Sequence, residues 1–327
     1  MSETTRQDAQ SCAFSPHKSK IGGQALIEGV MMKGAYKGAM ACRLPDGTID
    51  VETWDLKGGK QKPWYRRVPL IRGVYSFIFS MVDGYKCLMK SAEKQMTEEE
   101  IAEEEENPSK LDQWLNDHFN EKTVEAIMAG TMVVSLAVAL GLFLFLPKWI
   151  VGLIKPLCAN RIVRSFSEGI VKIVIFIAYM AFMGVMKETR RTYEYHGAEH
   201  KTIACFEAGL PLTVENVQKQ VRLHPRCGTS FIFLTLFISI LVMCLVPYTV
   251  VWQRFLCSFI LLPVTVGVSF EAIQFAGRSN SLFAKIFSWP GLQLQRITTR
   301  EPDASQIECA IAALTPCIPE NMEDDNW

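Results

Sequence analysis

Two long stretches without charge constrain this chain most. Ala126 to Leu146 and Gly228 to Trp252 contain no Asp, Glu, Lys or Arg. A helix needs about 20 apolar residues to cross the hydrocarbon core of a bilayer, and core helices of soluble proteins rarely run that far uncharged. Two further segments fit the same description. Ile170 to Met186 carries only Lys172, and Phe255 to Phe270 is uncharged but contains Pro263, which kinks or breaks a helix. The expected fold is mostly α: an integral membrane protein with about four transmembrane helices, over 123–146, 168–188, 229–252 and 255–276.

The basic residues set the expected orientation. Most lysines and arginines precede the first span, lie between the second and third, or follow the fourth. Lys148, Lys155, Arg161, Arg164 and Arg254 fall on the other side. Positive charge is retained in the cytosol, so both termini and the loop 189–228 are expected there. The first 20 residues are polar and hold no apolar signal segment, and are expected to be disordered. The ten cysteines form no CxxC pair, which argues against a disulfide framework. Formal net charge is zero, so bulk electrostatics offers no ground for a nucleic-acid partner.

Between the N-terminus and the first span the pattern changes three times. Residues 21–64 read as a cytosolic β-rich module. Its first part is a glycine-rich apolar stretch, IGGQALIEGVMMKG, without the spacing of a phosphate loop. Strand-like runs then flank Pro45-Asp46-Gly47, a strong hairpin signal. Residues 65–96 mix apolar positions with Arg72, Asp83 and Lys86, which fits an interfacial or re-entrant helix better than a span. Residues 97–122 are an acidic linker, Thr97 to Glu106, and an amphipathic lead-in over Leu111 to Phe119. At the other end, 277–327 reads as a cytosolic amphipathic segment, capped near Asp303, and an acidic tail.

Specific chemistry is concentrated in the loop 189–228. His196-Gly-Ala-Glu199-His200 is followed by His224-Pro-Arg-Cys227. Histidines four apart on a helix lie on one face and can share a cation. The HxxEH order is that of metallopeptidases in which two histidines hold zinc and the glutamate serves as general base. A catalytic site needs a third ligand and an open position. The candidates are His224, Cys227, Cys205, Glu207, Glu215 and Glu271, the last near the cytosolic end of the fourth span. A closed site of His196, His200, His224 and Cys227 is a second reading, since that spacing also suits a structural zinc with four protein ligands. A third needs no metal, with the histidines satisfied by Glu199, Glu194 or the backbone. Arg222 and Arg226 could hold an anionic substrate or lipid phosphate, or simply anchor the loop at the membrane.

Five segments together resemble one family: IGGQALIEGVMMKG, YHGAEHKTIACFEAG, LTVENV, HPRCGTSF and PGLQLQRITTREPDASQIECAIAAL. They are similar to the YqhQ-like bacterial membrane proteins, and the resemblance runs from Ile21 to Leu314. That family is known as a domain of unknown function and as a predicted metal-dependent enzyme. The resemblance therefore implies a multi-pass protein of the bacterial plasma membrane, and it carries no substrate or reaction.

Two functions are consistent with these residues. The first is a zinc-dependent hydrolase at the cytosolic membrane face, with His196 and His200 as ligands, Glu199 as base, and His224, Cys227 or Glu271 completing the shell. Its substrate would be a membrane-proximal peptide or lipid. The second is a non-catalytic scaffold or assembly factor for other membrane proteins, braced by a closed zinc site or a histidine cluster.

Overall fold

The computed structural model describes residues 16–56, 64–96, 121–154, 160–278 and 281–325. The acidic run 97–106, the lead-in 111–119 and residues 1–15 lie outside them. The chain is mostly helical, with one four-stranded antiparallel sheet near the N-terminus. It divides into two units, 1–95 with 177–238 and 263–327, and 96–176 with 239–262.

The first unit is built on the sheet. Strands β1 (Gly22–Leu26), β2 (Gly29–Lys33), β3 (Lys37–Arg43) and β4 (Ile49–Asp55) follow one another as a meander. The glycine-rich stretch supplies β1 and β2, joined by a turn at Ile27 and Glu28, with Leu26 paired to Gly29. Asp46 and Gly47 turn the β3–β4 hairpin as the sequence predicts, with Gly47 at φ 86°.

Both faces of this sheet are covered, so the strands are apolar on both sides rather than alternating with polar residues. Val30, Met32, Ala39 and Ala41 pack against Tyr195, Ala198, Ile307, Ala310 and Leu314. Those residues come from α5 (Lys187–Glu207) and α11 (Ala304–Leu314). Leu26, Met31, Met40 and Cys42 face the other way, toward Cys87 of α1 (Ile71–Glu93). The outer side of α1 is apolar and exposed at Ile78, Met81, Val82, Tyr85 and Met89. The capping expected near Asp303 is present: the Asp303 side chain accepts from Gln306 N–H while the Gln306 side chain accepts from Asp303 N–H.

Three shorter features position the site. Helix α6 (Val214–Gln218) is capped by Thr213. Gly209, at φ 69°, ends α5 and turns the chain toward it. Helix α10 (Leu282–Thr298) brings Gln295 beside the 224–228 loop. Residues 16–20, expected in a disordered terminus, are instead fixed in this unit. Ser19 is buried and its N–H donates to Glu207 at 2.7 Å. The acidic tail is likewise tied down, with Asp325 fully buried.

The spans differ in detail from expectation. Two helical stretches are long and apolar enough to cross a membrane, Val133–Leu153 and Arg161–Met183. The helix that holds the first extends past the expected 146, since α2 (Glu121–Leu140) continues through a π-helical turn, Gly141–Phe145, into α3 (Leu146–Leu153). Pro147 follows the π-helical turn directly and has no N–H to donate to it. The second stretch is α4 (Arg161–Met183). The expected third span is α7 (Gly228–Cys244), only 17 residues, or about 25 Å at 1.5 Å per residue against a core of about 30 Å. The expected fourth is broken at Leu261 into α8 (Val251–Ile260) and α9 (Leu262–Arg278), with a bend of 52°. Pro263 lies at the start of α9, where it cannot donate back into α8. Among the described residues there are thus two helices of spanning length, or up to three if the bent pair counts as one.

Candidate metal centre

The HxxEH segment is helical, inside α5, as its spacing predicts. The helix does not run on from the second span. It starts afresh at Lys187, after Met186 adopts an extended conformation at ψ 136°. Gly197 is there for clearance, not for a turn. A Cβ on it would lie 1.9 Å from the Arg300 carbonyl oxygen. That contact lets α5 press against the 299–303 segment, whose Arg300 N–H donates to the Tyr193 carbonyl at 2.8 Å.

His196 and His200 sit one turn apart, with ring centroids 4.4 Å from each other. Each ring is held by a backbone carbonyl. His196 Nδ1 is 2.9 Å from the Thr298 oxygen, and His200 Nδ1 is 2.6 Å from the Arg222 oxygen. A carbonyl only accepts, so both Nδ1 atoms carry the proton. In the neutral rings both Nε2 lone pairs are then available. His196 Nε2 lies 3.2 Å from Cys227 Sγ, and His200 Nε2 is buried without a partner. One nitrogen of each ring and the sulfur fall within 4.8 Å of one another. Thr229 N–H and Oγ1 also reach Cys227 Sγ, at 3.5 and 3.3 Å.

The charges in this cluster are strongly coupled. Burial alone would raise the Cys227 thiol. The neighbouring His200 and His196 outweigh it and hold the thiol well below its usual value. Burial works against a charge on His196, but the Cys227 sulfur, Glu199 and the Thr298 carbonyl push it up to about 9. The other thiols behave as core residues: burial pushes Cys42, Cys309 and Cys317 to about 12 and Cys205 to about 11.

Glu199 lies against the cluster. Its Oε1 accepts the Gly23 N–H of β1 at 3.0 Å, while Oε2 is buried with no partner. Burial raises its carboxyl above the ordinary range, against the pull of His196, His200 and the Gly23 N–H. β1 comes this close only because residue 23 is glycine, where a Cβ would lie 3.2 Å from the Glu199 carboxyl carbon and 2.3 Å from the Met31 oxygen. A cleft of about 280 Å³ opens at this edge, lined by Gly22, Gly23, Lys33, Glu199, His200 and Arg226 among others.

The remaining candidates are engaged elsewhere. His224 stands beside the cluster, 5.8 Å from the His200 ring centroid, but its Nε2 is 3.3 Å from Glu207. Burial keeps it below the usual imidazole value. Glu207 pairs with Arg226 and with the Ser19 N–H; despite burial, these partners and His224 hold its carboxyl low. Glu271 is bound by the Arg72 guanidinium and accepts from Leu70 N–H. Cys205 faces the Pro211 carbonyl, and Glu215 pairs with Lys219. Arg222 serves through its carbonyl, with its side chain 3.4 Å from Glu301.

Two contributors are not legible from ligand spacing. Gln295 brackets the peptide of His224, accepting its N–H at 2.8 Å and donating to its oxygen at 2.7 Å. Thr298 offers only a backbone oxygen. Neither residue type carries a metal signature. An amide within the amphipathic stretch after the last span was the one available sign of Gln295.

The family model described as "Protein of unknown function (DUF1385)" matches residues 68–320. The chain belongs to this family. The uncharacterized protein YqhQ of Bacillus subtilis (strain 168) is 35% identical over 312 residues, covering 93% of this chain and 95% of that protein. The resemblance read from the five motifs is thus a family relationship. No solved structure matches the chain.

Proposed function

We propose that this family member is a metal-dependent hydrolase, with zinc held by His196 Nε2, His200 Nε2 and Cys227 Sγ. The observation that carries this reading is the convergence of one nitrogen of each ring and the Cys227 sulfur within 4.8 Å, with Glu199 Oε2 buried and unpartnered in the same helix. Ligating histidines generally donate their other ring N–H to an oxygen that fixes the tautomer, and the carbonyls of Thr298 and Arg222 are placed for that task. When bound, zinc supplies Lewis acidity and brings the pKa of a water to about 7.

The chain's own residues do the rest. Glu199 is the general base. Gly23 N–H orients its carboxylate through Oε1 and leaves Oε2 without a partner. Cys227 and the two rings offer three ligands, with His224 turned to Glu207 and Glu271 to Arg72, which favours an open site over a closed structural one. The cleft beside β1 receives the substrate, a membrane-proximal peptide or lipid. We place the protein in the bacterial plasma membrane with both termini cytosolic. The two helices of spanning length and the exposed apolar side of α1 support the membrane location.

The test is elemental analysis of the detergent-purified protein beside His200→Ala. Near-stoichiometric zinc in the wild type, lost in the variant, is the expected result. X-ray absorption should then show a light-atom ligand beyond two nitrogens and one sulfur. Four protein ligands would favour the scaffold function instead. No metal in the wild type, even after zinc is added, overturns the reading.

A further inference from the structure

The sheet of the first unit ends at β4, which pairs with β3 alone. Two flanking bonds fix which way its backbone groups point. Leu56 N–H donates to the Tyr36 oxygen at 2.7 Å, and Leu44 N–H donates to the Thr48 oxygen at 2.8 Å. Hydrogen-bonded pairs alternate along an antiparallel ladder. Asp50, Glu52 and Trp54 therefore bond to β3, while Ile49, Val51, Thr53 and Asp55 turn N–H and C=O outward. Among the described residues nothing hydrogen-bonds to these outward groups. Thr53 and Asp55 are exposed.

Proteins shield such edges with proline, lysine, a bulge or a very short strand. β4 reads IDVETWD over seven residues, pairs with β3 without a bulge, and contains neither proline nor lysine. At the opposite edge Glu199 already takes the Gly23 N–H of β1. An edge like that of β4 is completed by a strand, because an extended backbone matches its alternating donors and acceptors.

Symmetry favours a second copy of β4 as that strand. Antiparallel pairing of a strand with its own copy places a two-fold axis normal to the sheet. Both copies then keep the same face on the same side. In the first unit α1 covers one face, while α5 and α11 cover the other. The exposed side of α1, with Ile78, Val82, Tyr85 and Met89, points away from the sheet. The pairing therefore turns both apolar sides the same way. A dimer in one membrane requires this, since its axis must lie along the membrane normal.

Charge selects the register. Centred on Thr53, the pairing sets Thr53 against Thr53 of the second copy, Val51 against Asp55 and Glu52 against Trp54. No acid then opposes an acid. Centring on Val51 would set Asp50 against Glu52, and centring on Glu52 would set that residue against its own copy. Like charges directly opposite destabilise a sheet.

We infer that β4 is a dimerisation edge, joining the sheets of two copies through the backbone of Val51, Thr53 and Asp55. The choice of a second copy rests on the membrane location proposed above. The metal centre plays no part in it.

Native mass spectrometry of the full-length protein in detergent, over a dilution series, tests the pairing. Recovery from the membrane fraction checks the location separately. The wild type should be a dimer. Thr53→Pro removes the central outward N–H and spares the ladder to β3. It should raise the dimer dissociation constant about tenfold or more. Thr53→Ala, which changes the side chain alone, should leave that constant unaltered. Hydrogen exchange of the segment 49–55 should be slower in the wild type than in Thr53→Pro. Should Thr53→Pro not be recovered folded, Asp55→Pro, also outward and at the strand end, is measured in the same way. A monomeric wild type, or a dimer as tight with the proline as without it, overturns the assignment. A monomer whose 49–55 amides are nonetheless protected would give the edge to another strand and overturns it equally.

Discussion

His200 donates its Nδ1–H to the carbonyl of Arg222 at 2.6 Å, so the loop after α6 fixes which nitrogen of the second histidine faces the cluster. The contact is made by backbone, which no side-chain substitution at 222 removes. Ring orientation and loop position are therefore one variable. What displaces the 222–227 segment also withdraws Cys227.

The division of labour between ligand and base gives the first prediction. Glu199→Gln should retain bound zinc and lower turnover about 10²- to 10⁴-fold on any ester or peptide that the wild type hydrolyses. His196→Ala should lose metal and turnover together. Metal content and rate measured on the same preparations separate the two. Unchanged turnover in Glu199→Gln removes Glu199 from the mechanism.

Gly197 should be intolerant of even one methyl group. Gly197→Ala puts a carbon 1.9 Å from the Arg300 oxygen, in a contact made of backbone on both sides. A destabilisation of about 1–3 kcal/mol is expected, of the order found for overpacked cores. Gly22→Ala, whose Cβ meets nothing within 4 Å, is the control. Equal unfolding midpoints for the two variants would refute the steric argument.

Acid should weaken the first unit through Glu207 and His224. Glu207 is held below the usual carboxylate value of 4.5, so its contribution is present above that pH and is lost as pH falls through the lower folded value. His224 is held below 6.5, so the unfolded chain takes up its proton first, and stability declines as pH drops under that value. The unfolding midpoint should thus fall progressively from neutral pH toward pH 4. Glu207→Gln should flatten the lower part of that curve. Superimposable profiles for the two proteins would rule out the Glu207 contribution.

In the second unit, Arg254→Met should destabilise by about 3–5 kcal/mol, because it strips Glu168 of its main partner and leaves a buried carboxylate. Arg254→Met/Glu168→Gln should recover part of that loss, since the orphaned charge goes with its partner. Chemical unfolding in detergent reports both. A double variant no more stable than Arg254→Met would mean that packing, not charge, holds this cluster.

Local signals carried the sequence reading far in some places. The Asp46-Gly47 hairpin, the cap at Asp303 and the helical HxxEH follow from spacing and turn chemistry alone. What chain distance hides was less accessible. Nothing near His196 indicates that Thr298, a hundred residues on, supplies its hydrogen-bond acceptor. That His196 meets Cys227 while His224 turns to Glu207 is likewise invisible from spacing. Hydropathy alone registers neither the π-helical turn before Pro147 nor the end of α7 at Cys244. The charge count has a similar blind spot. Lys148, Arg164 and Arg254 were weighed as basic residues flanking the spans, yet all three are buried within the second unit.

Asp325 closes the first unit much as a clasp closes a loop of cord. Its carboxylate meets His17 Nε2 at 2.9 Å and Lys20 N–H at 3.1 Å, and its backbone oxygen takes the same N–H at 2.8 Å. One residue further along, Ser19 N–H holds Glu207, and Glu207 holds His224 and Arg226. The last described residue of the chain is thereby linked, through Lys20, Ser19 and Glu207, to His224, which stands beside the histidine–cysteine cluster. Cutting the protein back to Asn321 would release His17, Lys20 and, through Ser19, the hold on Glu207.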